Sequence, residues 1–292
     1  MKLKFLTIFL LFVFLSCSQK SEDGVHLSFK YETGMAYNYE MTDVVVDKFG
    51  NQDSDTMDVV VIQNQSITIA AIDKNKENVY DLISSMAVTN DSSVYSENFP
   101  EKKRNSKSMI GHKSRYEIKM SSNGKIFDVK GQDEKSTKFY EEAYKSNHPN
   151  FPDKKISPGY KWNKNVYINY SDEAPLRITT QFKLIGFETV ENEHCAVISF
   201  RSQAKRESDL TNSEYNKNGY QKWLWSIETI SSGKIYFSSE KGYLIRKKRV
   251  MIFNSKSKIV DKDGLEKNTY SVKHDEETIR LTGIEKIQGE EK

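Results

Sequence analysis

The sequence predicts a mainly β protein, with antiparallel strands in curved sheets or a half-barrel and one covering helix at about 133–146. Three observations carry that expectation. From His26 onward apolar and polar residues alternate with period two, the mark of strands with one buried and one wet face. Short clusters of Gly, Asn and Asp punctuate the runs, as tight turns require. Finally, the chain repeats itself around residues 148–162, where Pro149, Pro152 and Pro158, three of its five prolines, cluster. Proline fixes φ, lacks an N–H and pushes the preceding residue out of the α region, so this stretch is a joint. Gly34–Tyr37 before it matches Gly159–Trp162 after it. Strands ending at Ile72 and Phe187 each run into an acidic turn and a returning strand. Ser122–Phe127 matches Ser231–Tyr236. Three matches in one order predict two similar β units, 26–147 and 163–287, on either side of the 148–162 joint.

Residues 1–16 stand apart from this fold. Lys2 and Lys4 precede an apolar run from Phe5 to Leu15, broken only by Thr7. That run is shorter than the ~20 residues that span a bilayer and has the length of a signal-peptide core. It ends in Leu15-Ser16-Cys17, a small residue before a cysteine, which resembles the lipobox of bacterial lipoproteins; Phe14 departs from the usual leucine. The resemblance implies that Cys17 becomes the acylated N-terminus, and several acyl chains suffice for stable anchoring. The alternative is an ordinary cleaved signal with a free cysteine. Residues 17–25 are a polar tether. Within it Gln19-Lys20-Ser21-Glu22-Asp23 resembles the signal that sends some Gram-negative lipoproteins to the cell surface, interrupted by Ser21. The expected location is the bacterial outer membrane, facing either the periplasm or the outside.

Removing Lys2 and Lys4 leaves 42 basic side chains against 41 acidic. A nucleic-acid binder would carry a strong basic excess, so no nucleic-acid partner is expected. With Cys17 lipidated, Cys195 has no second cysteine, which removes a disulfide framework and a cysteine zinc site. At 37% hydrophobic and 12% aromatic the chain is globular.

In order, Leu27, Phe29 and Tyr31 share one face of a first strand; Tyr37, Tyr39 and Met41 begin the next, which extends through Val44–Val46 to a turn at Phe49–Asp53. Val59–Ile62 and Ile67–Ile72 are strands, Asp73–Asn78 a hairpin turn, and Val79–Ile83 the return. Residues 84–113 are largely polar. Either a strand near Met86–Val88 reaches into them, or they form a mobile flap. Tyr116, Ile118 and Met120 alternate cleanly with charges, and Asn123-Gly124 marks a hairpin in which both central residues take positive φ. Asp133 is the expected N-cap of the helix to Ser146, with Phe139, Tyr140, Ala143 and Tyr144 on its apolar stripe.

After the joint, Val166–Tyr170 and the strictly alternating Leu176–Leu184 are strands. Cys195–Phe200 follows a turn, and 202–221 is a second polar insertion. Trp223, Trp225 and Ile227 lead to a turn at Ser232-Gly233. Tyr243–Phe253 is a long strand, Asp261–Gly264 a turn, Tyr270–Val272 a strand, and Thr278–Ile287 an edge strand. The tail 288–292 frays.

No catalytic constellation accompanies these elements. The five histidines are scattered singly, and no G-x-S-x-G, P-loop or G-x-G-x-x-G occurs. His194 and Cys195, as strand neighbours, point to opposite faces, and Cys195 is expected to be a small buried hydrophobe. Asp53-x-Asp55 and Asp261-x-Asp263-Gly264 lack the further oxygens of a calcium loop, so no metal and no cofactor are expected. Arg246–Arg249 splits two and two between strand faces, and an exposed edge strand defended against aggregation is the expectation. Trp223 and Trp225 share one face, either as core or as the lining of a ligand groove.

The chain resembles a family of uncharacterised bacterial envelope proteins, a domain of unknown function. The resemblance rests on Leu27-x-Phe29-x-x-x-x-Gly34-x-x-Tyr37, Ser122-x-Gly124-Lys-Ile, Pro158-Gly159-x-x-Trp162 and the second Gly-Lys-Ile-Tyr segment. It implies an extracytoplasmic β-rich protein and supplies no catalytic residue. The expected function is a non-enzymatic binding or scaffold module that contacts another envelope protein. The alternative is a carrier of lipid or another apolar ligand in a half-barrel groove, an expectation by architectural analogy.

Overall fold

A computed structural model describes residues 24–51, 56–101, 104, 108–132, 137, 141–142, 144–146, 148–168, 176–213 and 216–287. The signal segment, Cys17, most of the tether, Asp53, Asp55, Asp133, Phe139, Tyr140, Ala143 and the tail 288–292 lie outside them. The described strands are β1 (Met35–Asn51), β2 (Met57–Lys74), β3 (Val79–Tyr95), β4 (Lys113–Ser121), β5 (Ile126–Lys130), β6 (Lys161–Ile168), β7 (Leu176–Val190), β8 (Glu193–Asp209), β9 (Lys222–Ser238), β10 (Tyr243–Val260) and β11 (Glu266–Lys286). They form one antiparallel sheet in the order β5-β4-β3-β2-β1-β11-β10-β9-β8-β7-β6. The sheet is open, with β5 and β6 at its edges, and curved as a half-barrel.

The two halves of the chain are two meanders. The first runs outward from the middle, β1 to β5. The chain then crosses to the far edge and returns, β6 to β11, so that β1 and β11 pair along their whole lengths, Met35 opposite Lys286 and Asn51 opposite Thr269. The segment Thr278–Ile287 is therefore no edge: β11 is flanked by β1 and β10. Nor is Arg246–Arg249 exposed edge material, because β10 lies between β9 and β11. Alternation defines which face is wet, but not which strand is the neighbour.

Alternation also sets the inner face. Tyr37, Tyr39, Leu82, Tyr116, Ile118, Phe182, Leu184, Ile198, Ile235 and Phe237 are buried there in one cluster. Two chain segments outside the sheet cover it. Leu27, Phe29 and Tyr31 keep the predicted shared face and are buried, but the segment makes no ladder with the sheet. It lies beside the joint, joined by the Val25–Ile156 bridge, and is tied at both sides. The Phe29 amide donates to the Ser122 carbonyl at 2.6 Å, and the Lys30 amide donates to the Gly242 carbonyl at 2.8 Å. The Tyr80 hydroxyl donates to the Phe29 carbonyl at 3.0 Å. From the joint, Phe151 and Ile156 enter the same core. This strap and joint thus bridge the β4–β5 turn of one half and the β9–β10 turn of the other.

The described residues of the predicted helix, Thr137, Glu141, Glu142, Tyr144, Lys145 and Ser146, are helical. Tyr144 packs on the core, and its hydroxyl donates to Ser84 Oγ at 2.6 Å.

The polar insertions are shorter than the sequence suggests. β3 continues to Tyr95 and β8 to Asp209, because strand pairing tolerates the Asn, Asp and Ser that propensity disfavours. Beyond β3, Phe99 is buried against Phe49 and Tyr95. The first repeat match has a geometric counterpart: the Gly34 amide donates to Ala71 and the Gly159 amide to Leu184, both at 2.8 Å. The third does not. Gly124 has φ +87° in the β4–β5 turn and donates to the Ser121 carbonyl, while Asn123 keeps negative φ, so the turn is not the expected form with two positive φ. Gly233 lies mid-strand in β9 and makes no turn. Its small size has another cause. A Cβ there would stand 2.0 Å from the Lys248 carbonyl oxygen and 2.8 Å from Phe200 Cζ. The same Gly-Lys-Ile letters serve a turn once and a close approach once.

Candidate functional site

The inner-face phase of β1 reads Tyr37, Tyr39, Met41, Asp43, Val45, so a carboxylate interrupts an apolar row. Neighbouring strands do the same at the same level. Glu277 of β11 lies directly opposite Asp43, and Arg249 of β10 directly opposite Glu277. Asp275 and Lys247 stand two residues away on the same face. The result is an ionic cluster across the three central strands. Arg249 reaches Glu277 at 3.1 Å and Asp275 at 3.3 Å, and Lys247 reaches Glu277 at 3.0 Å. The Lys247, Arg249, Asp275 and Glu277 side chains are each about a tenth exposed or less.

Burial of charge is expensive unless it is paired, and the protonation states show where pairing falls short. Burial acts to raise the Glu277 carboxyl, but Lys247 and Arg249 outweigh it and hold it low. Asp43 is pushed up to about 7 by burial, with the Asp275 and Glu277 charges adding to it. Its Oδ1 is buried without a hydrogen-bond partner among the described residues.

On the opposite side, Lys164 interrupts the inward row Trp162, Val166, Ile168 of β6 in the same way. Its ammonium donates to the His148 carbonyl. Burial, then the Lys247 charge, lowers it to about 7. Burial and Lys164 together lower the His148 imidazole to about 3, so His148 is neutral.

Between the cover and the sheet is a cavity of about 490 Å³, within the range of small-molecule sites. The sheet side is Tyr39, Met41, Ile67, Ile69, Met86, Ile235, Phe237 and Ile279. The cover side is Phe29, Tyr31, Tyr144, His148 and Pro149. Asp43, Gln65, Lys247, Arg249 and Glu277 form its polar end. The space is amphipathic: an apolar body closed by an ionic cluster. Burial raises the Tyr31 and Tyr39 phenols far above their usual range, so both are neutral at this wall.

Trp223 and Trp225 also point to the inner face, yet at the other end of the long strands. Both are half-buried, and their indoles donate across to Ser257 at 2.8 Å and Ser255 at 2.9 Å. Trp225 packs on a small satellite cluster of Leu176, Ala204 and Ile227. Neither lines the 490 Å³ cavity. A broader groove of about 680 Å³ includes Trp225 in its wall. Of its other members, Glu207, Asp209, Lys256, Lys258 and Tyr270 alternate with the inward set and lie on the outer face, while Ser208, Ser257 and Thr269 belong to the inward set. Cys195 is fully buried in the main core, and burial pushes its thiol up to about 11. Among the described residues no cluster of His, Cys, Asp or Glu is arranged to hold a metal ion.

Asp43, Lys164, Asp275 and Glu277 went unnoticed in the sequence as site residues. The signal was present, since each is a charge in the apolar phase of an alternating strand. Only the register shows that these charges meet.

No protein-family model and no curated protein matches the chain. Among solved structures it is similar to that described as "lipid-protein interactions in lipovitellin", with a TM-score of 0.47 and 9% identity over 90% of this chain. The chain spans only 26% of that protein's length. It is also similar to OpdQ of Pseudomonas aeruginosa, with a TM-score of 0.28 and 4% identity over 85% of this chain and 99% of that one. A LolA superfamily protein, NE2245 of Nitrosomonas europaea, matches with a TM-score of 0.18 and 10% identity over 90% of this chain and 89% of that one.

Proposed function

We propose that this protein is a lipid-anchored carrier of the bacterial envelope, holding one amphipathic molecule on the concave face of its half-barrel. The observation that carries the reading is the 490 Å³ cavity, apolar along its body and ionic at one end. A scaffold that contacted its partner through loops would have no use for such a space. Burying an acyl chain there contributes ~0.8 kcal/mol per CH₂ removed from water, so a chain of ordinary lipid length supplies the driving force. Catalysis is no part of the proposal: Lys247, Arg249, Asp275 and Glu277 are held by one another in ion pairs across adjacent strands.

The anchor in this proposal is Cys17, acylated after removal of residues 1–16, in the outer membrane. The polar tether then leaves the sheet free to face the periplasm or the outside. Native mass spectrometry with lipid extraction, on the chain lacking residues 1–17, tests the carrier. Stoichiometric co-purifying lipid, displaced by added single-chain amphiphiles, is the expected result. A bare protein that takes up no amphiphile returns the function to the scaffold reading.

A further inference from the structure

The polar end of the cavity has a composition that narrows the ligand. Asp43, Glu277, Lys247 and Arg249 stand in its wall, while Asp275, paired with Arg249, and Lys164, which donates to the carbonyl of the wall residue His148, lie outside the lining; over the three carboxylates and three cations the formal sum is zero. A ligand with a single charge would add an uncompensated buried charge to this balance, which is costly in a poorly solvated site. That disfavours simple fatty acids and simple long-chain amines alike.

The balance is not evenly distributed. Glu277 is shared between Lys247 and Arg249 as ion pairs, at 3.0 and 3.1 Å, with its Oε1 making no hydrogen bond among the described residues. The excess charges lie outside that trio, on opposite sides. Toward β6 and the joint stands Lys164, buried to 9% exposure. It has no carboxylate partner among the ion pairs of the described residues, only the His148 carbonyl, and Lys247 is the charge it feels. Toward β1 stands Asp43, whose Oδ1 is buried without a hydrogen-bond partner among the described residues. The pocket wall includes His148 and Lys247 on the first side and Asp43 on the second. Burial draws both groups toward their neutral forms, lowering Lys164 and raising Asp43 each to about 7. A ligand that brought an anion to one side and a cation to the other would let both groups ionise with partners. Uncharged polar heads leave both as they are.

Resting on the carrier reading, we infer that the cavity selects an amphiphile with a zwitterionic head group, its anion toward Lys247 and the Lys164–His148 pair and its cation toward Asp43. The apolar wall of Met41, Ile67, Ile69 and Ile279 holds the chain.

Four probes with the same dodecyl chain separate the possibilities: dodecylphosphocholine, methyl dodecyl phosphate (a singly charged diester), dodecyltrimethylammonium and dodecanol. Each is titrated below its micelle concentration into the protein lacking residues 1–17, and binding is read by calorimetry. The zwitterion should bind roughly tenfold tighter than any of the other three. Asp43→Asn should bring it down to the level of the phosphate, and Lys164→Met down to that of the ammonium probe. Circular dichroism and denaturant midpoints show that both variants are folded, and Glu40→Gln, which removes an exposed carboxylate from the outer face of β1, should keep the preference for the zwitterion. If dodecanol or either singly charged probe equals the zwitterion, the head-group inference is wrong while the carrier stands. If none of the four binds, the carrier fails and the inference falls with it.

Discussion

Phe200 occupies the space that Gly233 leaves empty. The two residues face each other across β8 and β9, and a Cβ on Gly233 would stand 2.8 Å from the phenyl ring and 2.0 Å from the Lys248 carbonyl oxygen. Backbone cannot yield there as a flexible side chain would. Gly233→Ala should therefore destabilise the protein by about 1–3 kcal/mol or more, as overpacking does. Urea unfolding should show a lowered midpoint, and trimming Phe200 to Leu in the same chain should recover only part of it.

Phe29 is the central residue of the strap. Its ring meets Tyr31, His148, Phe151 and Phe237 within 6 Å between centroids. Phe29→Ala should cost about 3–5 kcal/mol, the range for deleting a buried aromatic. Hydrogen exchange should rise at the Ser121–Gly124 and Glu240–Gly242 turns, both of which the strap ties down. Unchanged exchange at those turns would mean the sheet holds its two halves together without it.

Trp223 should tolerate truncation better than a core aromatic. It is half-buried at the uncovered end, with one hydrogen bond to Ser257. Trp223→Ala should cost about 1–2 kcal/mol, below the ~3–5 of a packed core ring. Affinity for a probe in the 490 Å³ cavity should be unchanged. A loss of affinity would place the ligand at the indole end.

The lowered lysine gives stability a pH dependence with a definite sign. Lys164 titrates at about 7 when folded and near 10.5 when unfolded. Between those values the unfolded chain binds the extra proton, so stability rises with pH across that window. Lys164→Met lacks this contribution. It should be more stable than wild type at pH 7 and below, by on the order of a few kcal/mol, with the gap closing toward pH 10.5. Asp43 has the opposite slope: raised from 3.8 to about 7, it favours the folded state at low pH and loses that contribution as pH climbs through 7. Asp43→Asn should flatten the wild-type decline between those two values. Denaturant midpoints measured every half pH unit distinguish both variants from wild type.

Cys17→Ala should abolish incorporation of labelled fatty acid and leave a soluble or uncleaved species. Failure of the wild-type protein to take up label would remove the anchor from the proposal, without touching the cavity.

Much of the fold was legible because a period of two is written directly in residues such as Tyr116, Ile118 and Met120. What alternation reports is a face. It therefore placed Leu27, Phe29 and Tyr31 correctly on a buried side while misreading their partner, since a covering strap and a paired strand alternate alike. The neighbour of a strand is a long-range fact. Arg246–Arg249 was rightly divided between two faces, but its place in the middle of the sheet depends on β11, residues away in sequence and pairing with the first strand as well. Gly233 was misread for a local reason, because a glycine after serine looks like a turn until the ring of Phe200 fills its place. The ionic cluster was hidden for both reasons together.

The pairing of β1 with β11 also fixes when this protein can become itself. Met35 finds Lys286 only after nearly the whole chain is available. Each meander is made of hairpins between sequence neighbours and forms on its own timescale, but the seam that unites them closes last and against the entropy of a very long loop. Until then two apolar inner faces and two unpaired central edges stand open, a surface prone to wrong partners. A chain built this way depends, during the interval before closure, on whatever shields exposed strands where it folds.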